Sequence, residues 1–303
     1  MNDQFGCIGE NFINNLMTYI TPQNSYLIYN LIDTIRNTYT NNPYKANNPI
    51  IVKYHQMWSE QCTINFPLLY MSSLNLYLYA KKHKCDTFLF ATRDCCHWIK
   101  IFQKLFPKTN CHYFNCSRIM CKTAVNQVRP HYKQYIESLI KGHVDKTIYV
   151  DIHGTGCNVL SYFQKEFNRL PRCYIISSGV NNYTQLPLIC HYPYEHQKLV
   201  IPLFSVSGTP IEMLNYDIIG TLCDYTVAGP IRNCVEYNIK HLEPYHKCMK
   251  IMIDMIVPIR HKKDIRHIDV NWSNIYSPIL NGSIILRQFI NHQTNHTRMT
   301  IKK

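Results

Sequence analysis

The stretch T-I-Y-V-D-I-H-G-T-G-C-N at 147–158 decides how this chain is read. Its first four residues are β-branched or aromatic. An acid, Asp151, then precedes a short turn holding Gly154 and Gly156, and an amphipathic stretch follows at 157–167. The order is strand, loop, helix. In open α/β sheets, ligands sit beyond the carboxyl ends of the strands. Helix N-termini offer unpaired N–H groups to anions there, and glycine lets the backbone come close. Gly154, Thr155, Gly156 and Asn158 are therefore expected to bind a phosphate, and Asp151 to hold a metal such as Mg2+, bind a sugar hydroxyl or act as a base. The same residues also read as a tight connection in which the glycines serve geometry and Asp151 caps the helix.

Outward from this unit the pattern repeats. T-F-L-F-A at 87–91 predicts a strand, followed by a helix over 96–106 that stops before Pro107. A strand at 112–115, a polar helix at 131–140, the strand at 147–150, the helix at 157–167 and a strand at 173–177 complete the series. Strands alternating with amphipathic stretches predict an α/β, Rossmann-like fold: a mostly parallel sheet with flanking helices. An N-terminal helical region precedes it, with Phe12, Leu16, Tyr19 and Ile20, then Leu27, Leu31, Ile32 and Ile35, at helical spacing. An Asn- and Pro-rich connector is expected at 41–49. A third helix is expected from Pro67 to Lys82, presenting Leu68, Met71, Leu74 and Leu78. Prolines at 187, 193 and 202 break the pattern before a helix at 210–216, and a later helix is expected over 235–256. The expected division is a helical region at 1–85, an α/β core at 86–230, and a C-terminal helix with a basic tail at 231–303.

Two further groups belong to the same edge of a parallel sheet. Arg93 and Asp94 follow the first strand, and Ser117 and Arg118 follow the second. Arg93 can clamp a phosphate with its planar fork, Arg118 can add a second positive charge, and Asp94 can orient a hydroxyl or activate a nucleophile. Asp94 and Asp151 are the candidate catalytic residues. The expectation is that Asp94, Arg118 and Asp151 open into one cleft. An Arg93–Asp94 ion pair, or a helix cap by Asp94, would account for the first group without a ligand.

These motifs resemble a haloacid-dehalogenase-like polysaccharide-biosynthesis family of bacteria, in which an A-R-D-G-like strand end, a later S-R and a D-I-G-W-x-G-T-like loop occur in that order. The matching residues are Ala91, Arg93 and Asp94, then Ser117 and Arg118, then Asp151, Ile152, Gly154 and Thr155. A weaker echo lies at Ile211, Glu212, Leu214, Gly220 and Tyr225. The loop at 150–158 is also similar to the ribose-phosphate loop of phosphoribosyltransferases, with Val150, Asp151, Thr155, Gly156 and Asn158 in the matching places. Both likenesses imply an enzyme that binds a phosphorylated sugar or nucleotide and carries out group transfer or phosphoester chemistry. Cys95 stands where the first family has glycine, and Ile152 where the second has an acid. A binding protein on the same fold, without catalysis, is therefore the competing reading.

Composition bounds the rest. Apolar residues make up 46% of the 303 and charged residues 17%, enough apolar surface to build a core. The first residues lack a basic segment followed by an apolar run, and no window is long and apolar enough to span a bilayer, so a cytoplasmic chain without a signal peptide or membrane partner is expected. The 14 cysteines form no C-x-x-C pair, which favours reduced, buried thiols over a disulfide framework or zinc at Cys95, Cys96, His97, Cys111, His112, Cys116 and Cys121. No metal ligand set is assigned. Cys96 and Cys157 are weighed as nucleophiles at helix N-termini against buried thiols. The net charge of +13 is dispersed except at 260–266, where Arg260, Lys262, Lys263 and Arg266 form a second alternative, contact with nucleic acid.

Overall fold

A computed structural model describes residues 4–44, 49–177, 214–235 and 239–270. Ile211 and Glu212, and most of the helix expected at 210–216, lie outside the described residues. Contacts group the chain into two compact units: the described parts of Met1–Tyr79, Lys100–Lys108 and Asn238–Lys303, and those of Ala80–Ile99 and Thr109–Tyr237.

The first unit is helical. It contains α1 (Gln4–Met17), α2 (Ser25–Thr40), α3 (Pro49–Glu60) and most of α4 (Phe66–Lys82), with α9 (Glu243–Asp254) and α10 (Lys263–Val270) from the C-terminal part. Phe12, Leu16, Leu27, Leu31, Ile32 and Ile35 are buried as their spacing predicts. Two corrections apply. The connector expected at 41–49 gives way to α3 at its end. The helix expected from Pro67 to Lys82 is α4, with Pro67 in its first turn, but no break precedes it: α3 runs through a π turn at Gln61–Asn65 directly into α4. Proline cannot donate to the preceding turn, and the chain absorbs that by widening one turn rather than stopping. The helix expected at 235–256 is shorter, Glu243–Asp254, with a 3-10 turn at Ile239–Leu242 ahead of it.

The π turn is buried throughout and packs on α1, α2, α3 and α9. It presents a polar network to the core. Tyr245 donates to Glu60 at 3.0 Å, Gln56 donates to Glu60 at 3.2 Å, and Asn65 donates to Gln61 at 2.9 Å. Burial pushes the Glu60 carboxyl up to about 7, against the lowering effect of its two hydrogen bonds. The folded state therefore holds this proton more tightly than the unfolded chain, and stability contributed here falls as pH rises from the ordinary carboxyl range through about 7. Glu60→Gln keeps an acceptor for Tyr245 and removes the charge. Urea titrations at about pH 8 are expected to find it more stable than the wild type by roughly 2–3 kcal/mol, with the difference vanishing near pH 5.

The second unit is the α/β layer. Its strands are β1 (Thr87–Ala91), β2 (Asn110–Phe114), β3 (Thr147–His153) and β4 (Arg172–Ser177), all parallel in the order β2-β1-β3-β4. Of α5 (Trp98–Leu105) this unit holds Trp98 and Ile99, the rest falling in the helical unit; α6 (Arg118–Asn126), α7 (Pro130–Ile140) and α8 (Cys157–Phe167) belong to it whole. An antiparallel pair, β5 (Leu222–Thr226) and β6 (Gly229–Arg232), lies outside that sheet. This is the α/β, Rossmann-like architecture, with helices against a parallel sheet. β1 is buried at every position and β3 at most, as strands covered on both faces must be.

Alternation sorts the faces. Phe90, Val150 and Tyr174 form one row across the sheet, and Trp98 at the start of α5 packs edge-on against Phe90 and Tyr174. Leu89, Tyr149 and Cys173 form the row on the other face, where Phe114 makes ring contacts with Tyr149 and with Tyr135 of α7, and Tyr132 of α7 with Tyr135 and with Tyr162 of α8. The chain steps from β1 to β2 in one direction, then crosses back to β3 and on to β4. The direction of winding reverses between β1 and β3, and a crevice opens there at the carboxyl ends.

Candidate functional site

A cleft of 470 Å³ opens at that reversal. Three strand ends supply its wall: Ala91 to Asp94 after β1, Cys116 to Ile119 after β2, and Asp151 with the Gly154–Gly156 turn after β3. Arg93, Asp94, Ser117, Arg118, Asp151, Gly154, Thr155, Gly156 and Asn158 all line it. The nine residues are brought together because β1 and β3 are neighbours and β2 flanks β1. Thr92 ties two of the ends: its hydroxyl donates to the Cys116 carbonyl at 3.1 Å, and its N–H to that of Phe114 at 3.0 Å.

The turn after β3 departs from its expected form in one respect. β3 continues to His153, so Asp151 lies inside the strand and pairs with Ile175. It does not cap α8. Gly156 occupies the cap in left-handed conformation, with φ 67°, and Gly154 has φ 130°. Both angles favour glycine, whose lack of a side chain lets a ligand come close to the backbone at these two positions. The first turn of α8 leaves the N–H groups of Asn158 and Val159 without intrahelical partners, and both residues line the cleft. Thr155 accepts from the Cys157 N–H at 3.4 Å. Asp151 shares its strand face with Tyr149, whose hydroxyl donates to it at 2.7 Å, and it also accepts from the Ile152 N–H at 2.8 Å. Ile152 points to the opposite face and is wholly buried, so an acid there would sit in the apolar core.

The turn after β1 is unusual. Arg93 has φ 75°, a left-handed conformation that costs a bulky residue about 1–3 kcal/mol. Its N–H donates to the Tyr113 hydroxyl at 2.7 Å and its guanidinium to the Thr221 hydroxyl at 2.6 Å. Asp94 is half-buried and accepts no hydrogen bond among the described residues. Its carboxyl is pushed up to about 6, chiefly by burial, with Arg93 opposing the rise and the negative charge of Asp217 adding to it. Arg118 is exposed, its guanidinium free of hydrogen bonds and ion pairs among the described residues. Burial also lowers His153, so the imidazole at the rim favours its neutral form.

Ser117 calls for a correction. It lines the cleft, but its hydroxyl caps α6, accepting from the Met120 N–H at 2.9 Å and donating to the Leu222 carbonyl at 2.6 Å. It shapes the wall and has no proton to spare for a ligand. Cys96 is likewise occupied, buried and donating to the Asn215 carbonyl, and Cys157 does not line the cleft. No group of three His, Cys, Asp or Glu residues suited to a metal occurs among the described residues.

A strap at 214–222, which periodicity does not pick out, closes this end of the sheet. Asn215 receives Cys96, Asp217 receives the Tyr113 hydroxyl in a short hydrogen bond, Thr221 receives Arg93, and Leu222 receives Ser117. Tyr216 and Thr221 line the cleft.

Comparison with protein families, with curated proteins and with solved structures finds no match for this chain.

The basic run at 260–266 belongs to the helical unit and is partly structural. Arg260 stacks on Tyr26 at 4.7 Å, and Asp264 is buried, accepting from the Tyr26 hydroxyl at 2.9 Å and the His261 N–H at 3.0 Å. Lys262, Lys263 and Arg266 are exposed. No described helix is long and apolar enough to cross a membrane.

Proposed function

We propose that the cleft at the carboxyl ends of β1, β2 and β3 binds a phosphorylated sugar or nucleotide and carries out group-transfer or phosphoester chemistry on it. The observation that carries this reading is the pairing, in one cleft, of an anion cradle with a carboxylate that accepts no hydrogen bond among the described residues. The cradle consists of the Gly154–Gly156 turn, the first N–H groups of α8 and the Arg118 guanidinium. Oriented N–H groups and a cation favour a phosphate, and 470 Å³ suits a ligand of sugar-phosphate or nucleotide size. Asp94, which accepts no hydrogen bond among the described residues and is raised toward neutrality, is suited to take a proton from a ligand hydroxyl or a water. Asp151, held by Tyr149, is suited to orient a second hydroxyl.

Mg2+ fits this donor set. It commonly binds through one or two carboxylates together with phosphate oxygens, and Asp151, beside the Gly154–Gly156 turn, is the carboxylate that would hold it, which leaves Asp94 to move the proton. Bound there, it would neutralise charge on the phosphoryl group. Arg118 balances the remaining negative charge, and the α8 N-terminus holds the phosphate in register.

The test is a thermal-shift screen with sugar phosphates, nucleotides and phosphoribosyl pyrophosphate, with and without Mg2+. A ligand at about 100 times its Kd stabilises a protein by about 2.7 kcal/mol, a rise of a few degrees in Tm. Arg118→Ala is expected to weaken the responding ligand about tenfold or more and to leave the ligand-free Tm within about a degree, since the side chain is exposed. A flat screen would sink the proposal. Binding without turnover would favour the non-catalytic reading, which Cys95 and Ile152 suggest.

A further inference from the structure

The left-handed turn at Arg93 is costly, so other contacts must hold it. Tyr113 reaches it from β2. The Tyr113 hydroxyl accepts the Arg93 N–H at 2.7 Å and donates in a short hydrogen bond to Asp217. Asp217 is buried and uses its other oxygen to accept the Ile218 N–H at 2.7 Å. A hydroxyl that accepts and donates at once has its rotor fixed, and the chain Asp217, Tyr113, Arg93 N–H runs from the strap to the residue just before Asp94. The Arg93 guanidinium makes a second tie to the strap at Thr221.

We propose that Tyr113 and Asp217 are positioning residues of this site, holding the Arg93–Asp94 turn in its left-handed form and so setting where the Asp94 carboxylate stands in the cleft. The proposal rests on the phosphate-site reading only in calling the cleft a site; the linkage itself concerns the ligand-free protein. Neither residue lines the cleft, so neither is a catalytic residue. A role confined to pinning down the strap would leave the turn at residues 93–94 unchanged once the strap is in place. A positioning role ties that turn to the phenol hydroxyl. It also ties the titration of Asp94 to the Asp217 charge, which raises Asp94 alongside burial while Arg93 opposes it. The other titratable or charged groups lining the cleft are Arg118, Cys116, Tyr149, Asp151, His153 and Tyr216.

The experiment uses the full chain without ligand, followed by inorganic phosphate as the probe. Carboxyl-detected NMR follows the Asp94 titration, and backbone NMR follows the Arg93 amide, in wild type, Tyr113→Phe and Asp217→Asn. Asp217→Asn keeps an acceptor for the phenol and removes the charge, so the Asp94 midpoint is expected to fall by roughly half a pH unit or more. Tyr113→Phe keeps the ring and removes both hydrogen bonds. The Arg93 amide signal is then expected to move, and phosphate affinity to fall about tenfold or more as the cleft wall loses register. Should Tyr113→Phe fail to fold, Asp217→Asn decides alone, because its readout is a titration midpoint. An unmoved Asp94 midpoint in Asp217→Asn, or an unmoved Arg93 amide in a folded Tyr113→Phe, overturns the proposal. If these signals move while wild type binds no phosphate, the linkage stands and the phosphate-site reading falls.

Discussion

Asp94→Asn is expected to lower kcat/KM by roughly 10²–10⁴-fold on whichever phosphorylated ligand stabilises the protein, with little change in its Kd. The size follows from the role. Asp94 lies in the cleft beside the phosphate cradle, accepts no hydrogen bond among the described residues, and is pushed up to about 6 chiefly by burial. A base with that value is mostly ionised at neutral pH and still basic enough to draw a proton. In wild type, kcat/KM is expected to rise as pH increases through about 6 and then level off, because the active form has lost its proton. The asparagine variant should lack this limb. Asparagine matches the carboxylate in shape, so equilibrium binding reports intact geometry while the pH–rate profile reports the lost base. A variant that retains wild-type turnover, or the same rising limb, would assign the proton transfer to another group.

Gly220→Ala is the second large effect. A Cβ at this position would overlap the backbone carbonyl oxygen of Asn233 and stand 2.8 Å from its carbonyl carbon. Neither partner can withdraw freely. The Asn233 N–H is bonded to the Thr221 carbonyl at 2.9 Å, and the Arg232 guanidinium grips the Gly220 carbonyl at 2.9 Å. The substitution must separate the strap from the strand β6 end, at a cost of about 3 kcal/mol or more, well above a typical surface change. The loss should reach the cleft, since Thr221 holds Arg93 and Leu222 holds Ser117. Thermal melting is expected to show a Tm several degrees lower, together with weakened ligand binding. An unchanged Tm would mean that the strap does not close on β6 in this way.

β1 at Thr87–Ala91 and α8 at Cys157–Phe167 were legible to the residue, because a short β-type run bounded by turn residues and an amphipathic stretch after glycine are both local signals. Local signals also located Arg93, Asp94 and Arg118 beside strand ends, whereas Asp151 falls within β3, two residues before its end. The strap gave little such signal beyond the helix expected to end at 216 and the weak family echo at Leu214 and Gly220. N-Y-D-I-I-G-T at 215–221 has neither helical nor strand period, and Asp217 and Thr221 matter only because β2 and the β1 turn lie against them. The helix α3 was hidden for another reason: the Asn- and Pro-rich stretch before it and Pro67 after it are both ordinary breaking signals, yet the π turn carries the helix past Pro67.

What the chain determined by itself is therefore local: which segments are strands and helices in the α/β unit, where glycine permits a left-handed turn, and which charged residues stand at strand ends. Tertiary structure alone decided that those ends share a cleft. The order β2-β1-β3-β4 makes β1 and β3 neighbours although 55 residues separate the end of one from the start of the other, and the strap returns from beyond β4 to hold the turn that carries Asp94. Such pairings come from burying apolar faces across long sequence separations, and nothing in the immediate neighbourhood of either partner encodes them.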